Sequence, residues 1–345
     1  MTEPSSATPI VRPVRVLSAE EIAVQAGRQM PQVNLPRRAS LFDDRQLRLR
    51  QLAAAHPMRE YLLFIADLCS AQHAVFQDYA EVALPDAEAC DMAARALKPP
   101  MPAFGWPRDP RWLAELCRLM DLFRGRLAAG PARDTVDRLL ASPEAWIEQQ
   151  ADQLSKRITF GLDLATAPLI AAGLQLYWAQ LAIRGAEAHG ERIFGHTDPA
   201  THCPCCGSLP TASLTRIGAE DSGLRYLHCA LCSVQWHYVR IKCTHCESTK
   251  GIHLQELAPE PGIELPATGA RPGAVKAECC DTCGHYLKLI SMEKDAQVEP
   301  VADDLASLAL DLLVSDAGFE RSGHNLMLLF GDPEGTSPPD DGGGG

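Results

Sequence analysis

Ten of the chain's thirteen cysteines lie between positions 203 and 283. Eight of these form four Cys-x-x-Cys pairs: Cys203 with Cys206, Cys229 with Cys232, Cys243 with Cys246, and Cys280 with Cys283. A gap of two residues lets both sulfurs of a pair face one ion, while the amides just beyond can donate to the thiolates. Gly207 and Gly284 each follow a second cysteine and supply the positive φ that such a turn favours. Two consecutive pairs complete a four-thiolate tetrahedron, across 22 residues between Cys206 and Cys229 and 33 between Cys246 and Cys280. The spacing therefore predicts two metal sites. A tetrahedron of thiolates suits Zn(II) and mononuclear iron alike. Zinc would brace the fold, and iron would add a one-electron couple.

Competing chemistries fit these cysteines less well. Structural disulfides need an oxidising compartment, and the N-terminus shows no apolar signal segment, so the chain is expected in the cytoplasm with its thiols reduced. Arg37-Arg38 is followed by a helix start rather than by the rest of a twin-arginine signal. A thioredoxin-like redox pair would need a βαβ setting that residues 203–206 lack. Cys205 and Cys279 read as packed bystanders, with Cys206 and Cys280 in register for ligation. Cys69, Cys90 and Cys117 fall in helical segments and read as core thiols. His202, His228, His237, His245 and His285 lie beside the pairs, where contact with the ligands' surroundings or plain exposure is expected of them.

No HExxH, G-x-S-x-G, P-loop or G-x-G-x-x-G stands in a convincing context, and four thiolates leave a metal no open position for substrate. An enzyme is not expected. A nucleic-acid-binding ribbon would be strongly basic, yet residues 201–296 hold 9 Lys/Arg against 10 Asp/Glu, and the whole chain carries a net charge of −12. A local patch at Arg240, Lys242 and Lys250 is the one feature favouring that reading. A rubredoxin-like carrier acting alone is the third alternative.

These sites need a frame. Residues 1–17 are expected to be flexible, and Ser18 with Glu21 fits a capping box for a first helix. Ser40 with Asp43 is expected to cap a second, and Pro57 to start a third carrying Met58, Tyr61, Ile65, Leu68, Gln72, Val75 and Tyr79 at helical spacing. Further helices are predicted over 86–97, 110–128, 132–141, 143–157 and 163–188, making 18–195 an all-α domain. The apolar run at 161–183 is broken by Asp163, Gln175 and Gln180, so it reads as a buried core helix with no membrane insertion. The sequence then turns β-prone. Residues 200–240 and 241–300 each hold one four-cysteine module, and Ser233 to Lys242 reads as a strand tying them together, with Trp236 and Tyr238 packing on it. Residues 301–330 are predicted to form a helix packing back through Leu305, Leu308, Ala309, Leu312 and Leu313, followed by a disordered tail at 331–345.

The run CPCCGSLPTASLTR…GLRYLHCALCSVQWHYVRIKCTHCEST resembles the bacterial formate dehydrogenase accessory proteins, the FdhE family. So do AECCDTCGHYLKLISMEKD and ADDLASLALDLLVSDAGFERSGHNLMLL, and more loosely LFDDRQLRLRQLAAAHPMREYL and APLIAAGLQLYW. The resemblance implies an α+β chain: a helical domain, two rubredoxin-like or zinc-ribbon modules, and a C-terminal helix. It implies a chaperone-like maturation protein that contacts the formate dehydrogenase catalytic subunit before export. It also implies iron in both sites, with the eight paired cysteines as ligands. Oligomeric state is not implied. Cys205, Cys279 and the acidic glycine-rich tail depart from a plain family pattern.

Overall fold

The computed structural model describes residues 31–217, 223–257 and 271–329. The expected capping box at Ser18, residues 258–270 between the third and fourth cysteine pairs, and the tail from 331 lie outside them.

A short strand, β1 (Val33–Asn34), precedes seven helices: α1 (Leu41–Ala53), α2 (Arg59–Gln77), α3 (Ala87–Arg95), α4 (Arg111–Arg124), α5 (Pro131–Leu140), α6 (Glu144–Lys156) and α7 (Ala167–His189). Their ends fall within a few residues of the periodicity. Asp86 caps α3 by accepting from the Ala89 amide, but Ser40 makes no side-chain cap on α1, and Asp43 instead accepts from the Gln46 side chain. Most of the apolar run at 161–183 falls in α7, the central helix, buried on nearly every side, while residues 161–166 with Asp163 form the turn before it. Its polar groups are matched inside the core: Gln175 donates to the Ala230 carbonyl at 2.9 Å and Gln180 to that of Ala80 at 3.1 Å. Gln72 of α2 donates to the Ala172 carbonyl at 2.9 Å. Among the described residues no helix is long and apolar enough to cross a membrane.

The remaining strands are β2 (Pro210–Thr215), β3 (Arg225–Cys229), β4 (Gln235–His237), β5 (Ile252–Gln255), β6 (Val275–Cys280), β7 (His285–Ser291) and β8 (Glu320–Arg321). They form one sheet in the order β1-β4-β3-β2-β7-β6-β5, with β8 also on β7. Both cysteine modules are thus halves of one sheet, joined where β2 and β7 run parallel with Ser213 opposite Leu289. β1 comes from before the helices and pairs with β4, Val33 opposite Trp236. The expected long strand at 233–242 is shorter: β4 ends at His237, Ile241 takes a left-handed φ of 57°, and Val239 and Ile241 are exposed. The chain turns there to enter the third cysteine pair. Trp236 and Tyr238 are buried, so they are packing residues.

The C-terminal helix breaks in two, α8 (Pro300–Leu305) and α9 (Leu308–Asp316). Ser307 Oγ donates to the carbonyls of Asp303 and Asp304 at 2.7 and 3.1 Å, closing the first helix. The apolar spacing is not carried across this break. Leu305, Leu310 and Val314 are buried, while Leu312 and Leu313 are 61% and 58% exposed, contrary to the face expected from the sequence.

What α8 and α9 bury instead is charge. Arg48 of α1 binds Asp303 through two nitrogens at 2.9 and 2.6 Å and Asp295 at 2.8 Å. Arg45 meets Glu299 at 2.9 Å, and Glu299 in turn caps α8 through the Ala302 amide. On the other side, Lys288 of β7 is fully buried, reaching Asp311 at 2.5 Å and the Asp304 carbonyl at 2.8 Å. Arg321 also binds Asp304, at 2.6 Å. These pairs fasten the helices to the sheet. Replacing Arg48 by Met, which strands two buried carboxylates, is expected to cost about 3–5 kcal/mol in urea unfolding. Arg50→Ala, which breaks an exposed pair with Asp67, is expected to cost under about 1 kcal/mol.

Candidate metal centres

Each cysteine pair sits on a tight turn, and all four turns use the same backbone device. The residue after the second cysteine has a left-handed φ in every one: Gly207 at 72°, Ser233 at 59°, Glu247 at 59° and Gly284 at 70°. The two glycines are the places where the sequence announces the turn. Ser233 and Glu247 were missed, and the shared position in the repeated pattern was the signal that could have found them. The left-handed residue lets the chain reverse so that amides point at sulfur. Leu231 and Cys232 amides lie 3.4 Å from Cys229 Sγ, and the His245 amide lies 3.3 Å from Cys243 Sγ.

The fold brings the pairs together in two sets of four. Cys203, Cys206, Cys229 and Cys232 have all their sulfurs within 4.8 Å of one another, as do Cys243, Cys246, Cys280 and Cys283. Nearest separations are 3.4 Å for Cys203–Cys232 and for Cys206–Cys229, then 3.7 Å for Cys243–Cys283 and 3.8 Å for Cys246–Cys280. Metal–sulfur bonds of about 2.3 Å give a tetrahedron with edges of roughly 3.8 Å, so both sets fit one four-coordinate ion. All thirteen cysteines are free of disulfides.

Cys205 is buried beside the first set, with its thiol in reach of Cys232, but is not one of the four. Cys279 packs away from the second set, with Ala277, Tyr286, Leu310 and Val314. Cys69 and Cys90 are buried, whereas Cys117 is exposed, which corrects its reading as a core thiol. None of the five neighbouring histidines joins either set. His228 is buried, and burial with the charge of Arg45 pushes it down to about 3, so its ring is neutral. His245 and His285 stack with ring centroids 3.6 Å apart, and the Nδ1–H of His285 donates to the Cys283 carbonyl at 2.8 Å.

The two sets differ in surroundings. The first is fully buried, because the loop over 98–107 lies on it: the Met101 and Ala103 amides donate to the Cys205 and Cys206 carbonyls at 3.2 and 2.7 Å. The second is at the surface, with Cys246 exposed and Cys283 half-buried. Burial alone would push Cys280 up, yet the Cys283 and Thr282 amides and the thiols of Cys243 and Cys246 bring it down to about 7. In the first set hydrogen bonds from Cys203, Cys229 and Cys232 overcome burial and hold Cys206 well below the ordinary thiol range. Each set thus favours a first thiolate by its own geometry.

The basic residues considered for nucleic acid are largely engaged: Lys242 pairs with Glu247, and Arg240 donates to the Gly223 carbonyl at 3.0 Å.

Substitution at the turns tests the backbone argument. Gly284→Ala, with open space around the added carbon, is expected to cost about 1–2 kcal/mol from the left-handed backbone alone. Gly207→Ala should cost more, since its methyl would lie 3.1 Å from Pro99 Cγ. Ser233→Gly should leave stability unchanged or raise it by less than about 1 kcal/mol; urea titrations of the three variants check the order.

Comparison with known proteins agrees with this architecture along almost the whole described chain. Models of the N-terminal, central and C-terminal domains of FdhE match residues 30–189, 202–240 and 241–328. A Protein FdhE homolog of Cronobacter sakazakii is 37% identical over 305 residues, covering 88% of this chain and 93% of the relative. One from Klebsiella pneumoniae is 36% identical, covering 93% of this chain and 99% of the relative. The crystal structure of the FdhE protein from Pseudomonas aeruginosa superposes with a TM-score of 0.67 at 34% identity, over 88% of this chain and all of that one. With two converged four-cysteine sets on a helical and sheet frame, the chain belongs to the FdhE family.

Proposed function

We propose that this protein is a cytoplasmic, chaperone-like maturation factor for formate dehydrogenase, which binds the immature catalytic subunit before export. The observation that carries the reading is the pair of four-thiol sets built into an FdhE-family chain. In it Cys203, Cys206, Cys229 and Cys232 hold one metal ion, and Cys243, Cys246, Cys280 and Cys283 hold another. Iron is favoured by the family resemblance, and zinc fits the same ligands. When bound, iron supplies a one-electron couple, and either metal locks the turns. Four thiolates per ion leave no position for a substrate, so the protein binds and prepares its client rather than acting as an enzyme.

Protein purified without oxygen is expected to contain two metal ions per chain, with visible thiolate-to-iron absorption that bleaches reversibly on reduction. A colourless zinc protein would remove iron from the account. A chelator should take the metal from the exposed second set well before the buried first one, giving two-phase release.

Deleting the gene is expected to abolish formate dehydrogenase activity, and the tagged protein should retain the catalytic subunit. Intact activity in the deletion strain, with no subunit retained, would sink the maturation role.

A further inference from the structure

Two clefts lie where the helices, the first cysteine module and the second meet. One, of about 550 Å³, reaches His245 and His285 beside the second set of thiols. The other, of about 380 Å³, reaches Cys206 and Gly207 of the first. Both are walled by Leu154, Arg157, Leu209, His324 and Leu326, so the two clefts adjoin across these residues, one beside each four-cysteine set, and together form one groove. Residues from all three stretches matched by the family's domain models line it.

Its lining departs from the acidic balance of the chain as a whole. The chain carries a net charge of −12, yet among the described residues neither lining contains an aspartate or a glutamate. Lys156, Arg157 and Arg321 supply positive charge instead. Arg321 is already engaged by Asp304, and Lys156 lies over the Phe104 ring at 5.1 Å. Arg157 is exposed and lines both clefts, and among the described residues its side chain has no ion pair or hydrogen bond. His324 adds no charge, because burial and the nearby Arg157 and Arg321 push it down to about 4.

The rim is apolar and exposed. Ile158 is 41% exposed and Phe104 64%, large side chains just past the end of α6 and in the loop facing it. Arg157 itself occupies the left-handed C-terminal cap of α6, φ 59°, a position where glycine is the unstrained residue. An unpaired arginine between exposed aromatic and aliphatic residues is the composition of a protein-binding hot spot. Three cations between leucine walls are too few for a phosphate backbone, which is held by many.

We propose that this groove binds an extended peptide segment of the protein partner, in which apolar side chains flank at least one carboxylate that pairs with Arg157. The proposal rests on the maturation reading above and says where, and by what chemistry, the client is held.

Short peptides tiled over the formate dehydrogenase catalytic subunit are printed twice, once unchanged and once with every Asp and Glu replaced by Asn and Gln. The full metal-loaded chain is then applied. The unchanged form of a few apolar peptides should be retained about tenfold better than the amide form. Arg157→Glu should lose that preference and Arg157→Lys should keep it, with the same metal content in all three proteins. Equal retention of both peptide forms, or retention untouched by Arg157→Glu, overturns the proposal. So does peptide binding that emerges only when residues 331–345 are deleted, which would assign the groove to the chain's own acidic tail. Displacement of the peptides by a single-stranded RNA oligonucleotide overturns it too. Intact subunit that co-purifies equally with wild type and Arg157→Glu removes the groove but leaves the maturation role. Selective peptide retention without any co-purifying subunit removes the maturation role and leaves the groove's peptide chemistry.

Discussion

Four sulfur atoms within 4.8 Å of one another are the constraint on which this structure depends. As thiolates at such distances they would repel one another by about 4 kcal/mol per pair, even at an effective dielectric near 20. A cation at the centre turns that repulsion into attraction, which is why binding and folding are linked in sites of this kind. The protein's part is to hold the turns open to sulfur. It does so with four left-handed residues and with backbone amides directed at the thiolates.

Turns of this sort cannot stand alone, and the surrounding frame is built to carry them. The first set is sealed by the loop over 98–107 and by α7, whose Gln175 holds the Ala230 carbonyl inside the second turn. The second set hangs from β6 and β7 and reaches the first through the parallel β2–β7 pairing. Arg225 adds a buried tie between the halves, binding Glu278 at 2.7 Å and Ser213 at 2.8 Å. The sheet therefore makes one continuous platform of two ribbons. One centre is enclosed and braces the core, while the other faces solvent beside the groove.

Burying so many ions is costly unless each is paired, and here they are paired across elements distant in sequence. Arg45 and Arg48 lie about 250 positions before Glu299 and Asp303, as the separations of 254 and 255 record. Such pairs fix which face of α8 turns inward, because turning it outward would leave Arg45 and Arg48 buried without their carboxylate partners. The apolar residues of α9 would by themselves suggest a different face.

Helices, the cysteine pairs and the order in which pairs combine were legible from sequence because each is a local matter of spacing. A 3.6-residue period, a two-residue gap between cysteines and a glycine after the turn are written within a few positions. The polar residues of α7 were also readable as a core helix, since hydrocarbon would not accept them. Other features were set by partners far along the chain. The left-handed Ser233 and Glu247, the single sheet shared by both modules and the exposure of Cys117 and Leu312 had no local mark. Asp303, Asp304 and Asp311 look like a solvated face until Arg48, Lys288 and Arg321 are brought to them. Sequence by itself determined which atoms can bind a metal, because ligand chemistry and spacing are local. Only the tertiary structure decided which four-cysteine set is buried, which is open and what clefts lie beside them, because burial and charge pairing depend on residues that meet only in the fold.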